Sequence, residues 1–164
     1  MSLKRKNKIK DYFHKASKYI INQLVENDIN TLVIGKNIDW KQEINIRCVN
    51  NQKFVSIPYN DFIQMLTYKC WLKGIYVILQ EESYTSKCSF FNNDFIPTYG
   101  VNDSMYIPSG KRIKRGIYVT DECMINSDIN GSLNILRKYL NVGCDEIISP
   151  ASRGLVMNPV KINF

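Results

Sequence analysis

"IYVILQEESYTSK", residues 75–87, decides how the chain folds. Ile75 to Leu79 is an unbroken apolar run of strand length, as expected for a strand covered on both faces. Glu81 and Glu82 follow at its exit, directly before small hydroxyl residues. Two acids at the end of a buried strand are either a solvated strand end or ligands for a metal.

Working backwards, Gly74 is placed to stop a helix. That helix starts at Pro58, which suits a first turn, and carries Phe62, Met65, Leu66 and Lys69 to Leu72. Before it, residues 36–56 are polar and Asn-rich and read as a long loop. Thr31-Leu32-Val33-Ile34 is a second buried strand, ending at Gly35. Strand, helix, strand with a crossover of this length predicts two adjacent parallel strands. Their carboxyl ends are then neighbours, so Gly35 and the Gln80–Glu82 stretch share the place where ligands collect in open α/β sheets. Two parallel strands need company to be stable, from a second copy or from another part of a larger protein.

Residues 8–28 place Ile9, Phe13, Ala16, Ile20 and Leu24 at helical spacing. The helix begins with cations, which oppose its dipole. An anionic partner at this end, or a helix continuing from upstream, would relieve that. Downstream, residues after 85 are turn-rich through Pro97, Gly100, Pro108 and Gly110, and Lys111 to Thr120 alternates like a hairpin arm. "INSDINGSLNILRKYL", 125–140, is a helix whose Ile129, Leu133, Leu136 and Leu140 share a face, and Asp128 has the position of an N-cap. The tail 141–164 reads as loop.

Among the 164 residues, Lys and Arg number 22 against 15 acids, a net charge of +7. The excess clusters at Lys4, Arg5, Lys6, Lys8 and Lys10, and again at Lys111, Arg112, Lys114 and Arg115. Such clusters suit phosphate contacts, and they also serve solubility. No apolar run is long enough to span a membrane. The charged start has no apolar segment after it, so it is not a signal peptide, and the expected compartment is the cytoplasm. The five cysteines, Cys48, Cys70, Cys88, Cys123 and Cys144, include no C-x-x-C pair, so no zinc is expected. Their odd number in such a chain suggests reduced, mostly buried thiols.

Five segments together resemble one family: "KIKDYFHKASKYII" (8–21), "TLVIGKN" (31–37), "LTYKCWLKGIYVILQEESYTSK" (66–87), "GKRIKRGIY" (110–118) and "INSDINGSLNIL" (125–136). In order and spacing they look like the carboxyl-terminal part of a TnpB-type (OrfB) protein of bacterial insertion sequences. That family is understood as RNA-guided DNA endonucleases associated with transposition. The resemblance implies an α/β chain with a partial RNase H-like (RuvC-like) fold: two parallel strands with flanking helices, lacking the N-terminal strands, plus a basic turn-rich insertion. It implies a nuclease core over 1–84, a degenerate zinc-ribbon-like insertion over 85–124, a final helix with the last acid over 125–140, and a tail over 141–164.

The same resemblance implies catalysis by carboxylates that hold Mg2+ or Mn2+. The family's first acid has no counterpart here, and its second is replaced by Gly35. A subset of the family carries glycine there and an acid before the "YTSK" motif instead. Glu82 is therefore expected as the relocated ligand, with Glu81 as the alternative, and Asp128 matches the last acid. The implied partners are DNA and guide RNA, with the missing N-terminal half as a separate chain; the basic clusters would hold their backbones, at the bacterial nucleoid. His14, the single histidine, is expected to pack or to touch phosphate. The rival expectation is a catalytically inactive relic that binds nucleic acid without specificity.

Overall fold

The computed structural model describes residues 3–37, 57–121, 123–157 and 159–162. It divides into two units. One holds the chain up to Leu32 and the segment ending at Ile78; the other holds the strand end from Val33 and the segment Leu79–Lys161.

In the first unit, helix α1 (Leu3–Glu26) packs against α2 (Tyr59–Trp71). Phe13, Ala16, Ser17, Ile21 and Leu24 are its buried face, a spacing of three and four that follows the helical period. The rings of Phe13 and Phe62 lie 4.7 Å apart, and Ile21, Leu24, Cys70 and Ile75 form the core with Ile20, Leu32 and Val77. Buried Ser17 is satisfied twice: its hydroxyl donates to the Phe13 carbonyl at 2.6 Å and accepts from Lys69 Nζ at 2.6 Å. Burial, then the nearby Lys18, lowers the Lys69 pKa. Pro58 precedes α2, and its carbonyl takes the Asp61 and Phe62 amides. Gly74, at φ 71°, turns the chain out of the helix, and the Ile75 amide caps the Cys70 carbonyl at 2.9 Å.

Strands β1 (Thr31–Gly35) and β2 (Tyr76–Gln80) pair side by side. The Tyr76 amide donates to the Asn30 carbonyl and the Lys36 amide to the Gln80 carbonyl, each at 2.8 Å. Both strands therefore climb in the same direction, as the strand–helix–strand order requires. The second strand starts one residue later than the apolar run; Ile75 serves the core of the first unit instead.

In the second unit, β3 (Lys111–Lys114), β4 (Ile117–Val119) and β5 (Met124–Asn126) form an antiparallel sheet. The hairpin of β3 and β4 was legible in the alternation; β5 was not, because three residues are too few to show a period. Tyr118 pairs with Ile125, and both enter a core with Phe90, Phe91 and Cys144. β5 runs straight into helix α3 (Ser127–Leu140).

Three sequence expectations need correction. The cap of α3 is Asn126, whose Oδ1 accepts the Asp128 and Ile129 amides at 2.9 and 3.3 Å, so Asp128 belongs to the first turn. The buried face of α3 is Ser127, Asn130, Gly131, Asn134 and Arg137, while Leu140 is exposed. The turn-rich segment lying on that face has backbone carbonyls that need donors, so amides are buried there in preference to leucines. The tail is also structured: α4 (Cys144–Ile147) and a 3-10 turn (Pro150–Val156) follow, with Cys144 buried in the core. Most of the expected loop at 36–56, and Cys48 with it, lies outside the described residues.

Candidate metal-binding strand ends

Gly35 and Glu82 meet where β1 and β2 end. A Cβ built on Gly35 would fall against the Glu82 carboxylate, 2.6 Å from Ile135 Cδ1 and 3.2 Å from Glu82 Cβ. A side chain at 35 and the glutamate at 82 therefore compete for one place, and the glycine makes room for the acid. Asn37, just past β1, holds the junction: its Oδ1 accepts the Glu82 amide at 3.0 Å. On the other side the Glu82 carbonyl accepts the Thr85 hydroxyl at 2.8 Å.

The two adjacent glutamates have opposite surroundings. Glu81 forms an ion pair with Lys138, whose side chain is 11% exposed, and accepts the Ser83 amide at 2.8 Å. Burial by itself would raise the Glu81 carboxyl, but the Lys138 and Ser83 hydrogen bonds outweigh it and bring it below the usual range. Lys138 donates also to the Pro97 carbonyl at 2.9 Å, so this cation is fully engaged in holding the loop. The Glu82 carboxylate has no hydrogen-bond or ion-pair partner among the described residues. Burial, then the charge of Glu81, pushes its pKa up. A half-buried carboxylate without a counter-charge is a costly arrangement for a structural residue, and it is the arrangement a cation would relieve.

Helix α3 lies along this segment through a ladder of side chains. Asn134 Nδ2 donates to the Thr85 and Cys88 carbonyls at 2.9 and 2.8 Å. Asn130 donates to the Cys88 carbonyl at 2.8 Å and accepts the Phe90 amide at 3.0 Å. Arg137 reaches the Phe90 and Asp94 carbonyls. Ile135 stands beside Glu82, and Asp128 is seven residues earlier, on nearly the same helix face and about 10 Å along the axis. Asp128 is exposed, and its carboxylate has no partner among the described residues. The ladder thus sets Glu82 and Asp128 along one side of one helix. Among the described residues, no group of three or more His, Cys, Asp or Glu side chains comes together to hold a metal.

The cysteines of the insertion are apart in role. Cys88 is buried with its thiol toward the Phe95 carbonyl, and burial pushes it up to about 11, with Asp94 adding to the rise. Cys123 sits against Thr120. The expected basic residues are all exposed: Lys4, Arg5, Lys6, Lys8 and Lys10 in the first turns of α1, which hold no acid, and Lys111, Arg112, Lys114 and Arg115 on β3 and its turn. His14 is exposed on α1, and its carbonyl accepts from Lys69 at 3.2 Å. Sequence reasoning missed Asn37, Asn130, Asn134, Arg137 and Lys138. The last four were visible as a polar stripe at intervals of four, three and one along α3.

No helix of the described residues is long and apolar enough to cross a membrane. Residues 59–135 match the family model described as "Cas12f1-like, TNB domain". No curated protein matches the chain.

Proposed function

We infer, for a chain that belongs to the TnpB-related nuclease family through the Cas12f1-like TNB domain at residues 59–135, that it works as the carboxyl-terminal part of a divalent-metal-dependent, RNA-guided DNA endonuclease. The observation that carries this reading is Glu82: a half-buried carboxylate without a counter-charge among the described residues, at the carboxyl end of a parallel strand, in a space that Gly35 leaves open. The donor chemistry fits a hard dication, since Glu82 and Asp128 offer only carboxylate oxygen and neither has a counter-charge among the described residues. Bound Mg2+ or Mn2+ would polarise the scissile phosphate and make water a nucleophile at neutral pH. Glu82 and Asp128 hold charge toward the substrate; Lys138 keeps Glu81 out of the site by pairing with it. A further carboxylate comes from a preceding segment or partner chain that adds strands beside β1. The partial RNase H-like architecture, the partition at 84, 124 and 140, the DNA and guide-RNA partners and the link to transposition belong to this reading. The basic residues of α1 and β3 then lie along nucleic-acid backbone.

The test is cleavage in a chain rebuilt with a family amino-terminal half that carries the first acid. Glu82→Ala and Asp128→Ala should each reduce Mg2+-dependent cleavage by orders of magnitude while oligonucleotide binding persists. Glu81→Ala should be far milder. Mn2+ titration of residues 1–164, read by paramagnetic broadening of signals near Glu82, gives a readout besides activity. Unbroadened Glu82 signals together with full cleavage by Glu82→Ala would overturn the assignment. Nucleic-acid binding without any cleavage by the rebuilt chain would favour the inactive relic.

A further inference from the structure

Between Glu82 and the basic hairpin stands a group that neither metal binding nor core packing uses. Tyr84 has φ 63°, the left-handed region, which is strained for an aromatic residue. The turn around it is well bonded: the Tyr84 carbonyl accepts the Lys87 and Cys88 amides at 2.9 and 3.0 Å. That strained residue is half-buried. Tyr106, also half-buried, places its ring 5.0 Å from that of Tyr84, with the planes 40° apart. Exposed Lys87 sits over both, 5.7 and 5.9 Å from the two centroids. Asp103, then burial, raises the Tyr84 pKa, with Tyr99 and Tyr106 adding to the rise. Tyr99 is 71% exposed.

Surface aromatic rings with a cation across their faces match one ligand chemistry: a flat π-system carrying an adjacent anion. In a duplex the base faces are covered by neighbouring bases, so the ligand is an unpaired nucleotide. The ring faces take the base, and the Lys87 ammonium is left for the phosphate.

We propose that Tyr84, Tyr106 and Lys87 form a stacking platform for an unpaired nucleotide of DNA or RNA, two residues beyond the Glu82 strand end. This deepens the nuclease reading and rests on it for the presence of nucleic acid, while the platform itself is argued from its own geometry. It gives the strain at Tyr84 a function: the left-handed turn carries the ring out to the surface beside Lys87.

The experiment measures binding of the 164-residue chain to single-stranded DNA, single-stranded RNA and duplex DNA of one length, with an abasic position moved along each single strand. The expected result is preference for a single strand and a loss of roughly ten-fold or more at one or two abasic positions. Tyr84→Leu or Tyr106→Leu should weaken intact single strands to the abasic level and make the abasic scan flat. Their salt slope should not change, because stacking releases no counterions, whereas Lys87→Met should lower the slope by about one. Tyr84→Phe should keep the preference, since the ring remains. DNA and RNA arms that differ identify which strand occupies the platform. Equal binding of duplex and single strand with a flat scan by the unmutated chain would overturn the platform and leave the nuclease reading standing. No binding to any oligonucleotide would overturn both.

Discussion

The α1–α2 contact and the α3 contact with residues 81–97 are built from opposite materials. Phe13, Ile21, Leu24, Cys70 and Ile75 close the first by apolar burial, which is indifferent to small shifts of position. Asn130, Asn134, Arg137 and Lys138 close the second by hydrogen bonds to backbone carbonyls of an irregular segment. Hydrogen bonds are directional, so the second contact holds its segment in one register. Glu82 and Tyr84 both belong to that segment. The difference teaches that the chain places general stability where it needs only a scaffold, and directional bonding where it needs a site.

The comparison can be broken by truncating each side. Leu24→Ala should cost about 3 kcal/mol in urea unfolding, from lost burial and the cavity left behind. Asn130→Ala should cost about 1–3 kcal/mol by leaving the buried Phe90 amide without its partner, while Asn134 still donates to the Cys88 carbonyl. The sharper distinction is in where the damage appears. Hydrogen exchange should rise at residues 85–94 in Asn130→Ala and stay protected there in Leu24→Ala. Uniform loss in both variants would mean that the two contacts are not different in kind.

A smaller effect separates the two glutamates. Glu82 has a raised folded pKa, so its favourable contribution is full below the ordinary value of about 4.5 and is lost as pH rises through the raised value. Glu81 has a lowered one, so its contribution is present above the ordinary value and is lost as pH falls through the lowered value. Thermal melts at pH 3.5, 5 and 7 should therefore show opposite trends. Glu82→Gln should gain on the unmutated chain as pH rises past 5, whereas Glu81→Gln should fall behind it as pH rises from 3.5 to 5 and then level off. Trends of the same sign would remove the distinction between the paired and the unpaired acid. Millimolar Mn2+ should cancel the Glu82→Gln advantage, since a cation supplies the missing counter-charge.

The smallest effect on folding belongs to the basic arm. Replacing Lys111, Arg112, Lys114 and Arg115 by Glu should change unfolding by less than about 0.5 kcal/mol, because all four are exposed. The same replacement should weaken oligonucleotide binding and flatten its salt slope. Unchanged affinity would leave those cations with solubility as their role.

How much was legible followed from the range of the interaction concerned. The amphipathic period of residues 9–24, the apolar runs at 31–34 and 75–79 and the helix between them are local patterns, and they were enough to place Gly35 beside Glu82. Asp128 was singled out by its resemblance, with a helix cap as the alternative; the cap is Asn126 two residues earlier, an equally good capping residue. The tail was misread because Pro150, Gly154 and Pro159 signal turns, while Cys144, which anchors it, is a single residue with no period.

By itself the sequence determined the three long helices, the parallel pair and the short list of acids, since backbone period and chain connectivity act between near neighbours. Only the tertiary structure decided which acid Lys138 pairs with. Lys138 lies 57 positions after Glu81, and nothing in the chain order tells that its ammonium reaches Glu81 and not Glu82. That choice depends on the Asn130–Asn134 ladder, which sets α3 against the strand exit at one rotation and one height. A charge pair is made by distance in space, and the folded chain alone supplies that distance.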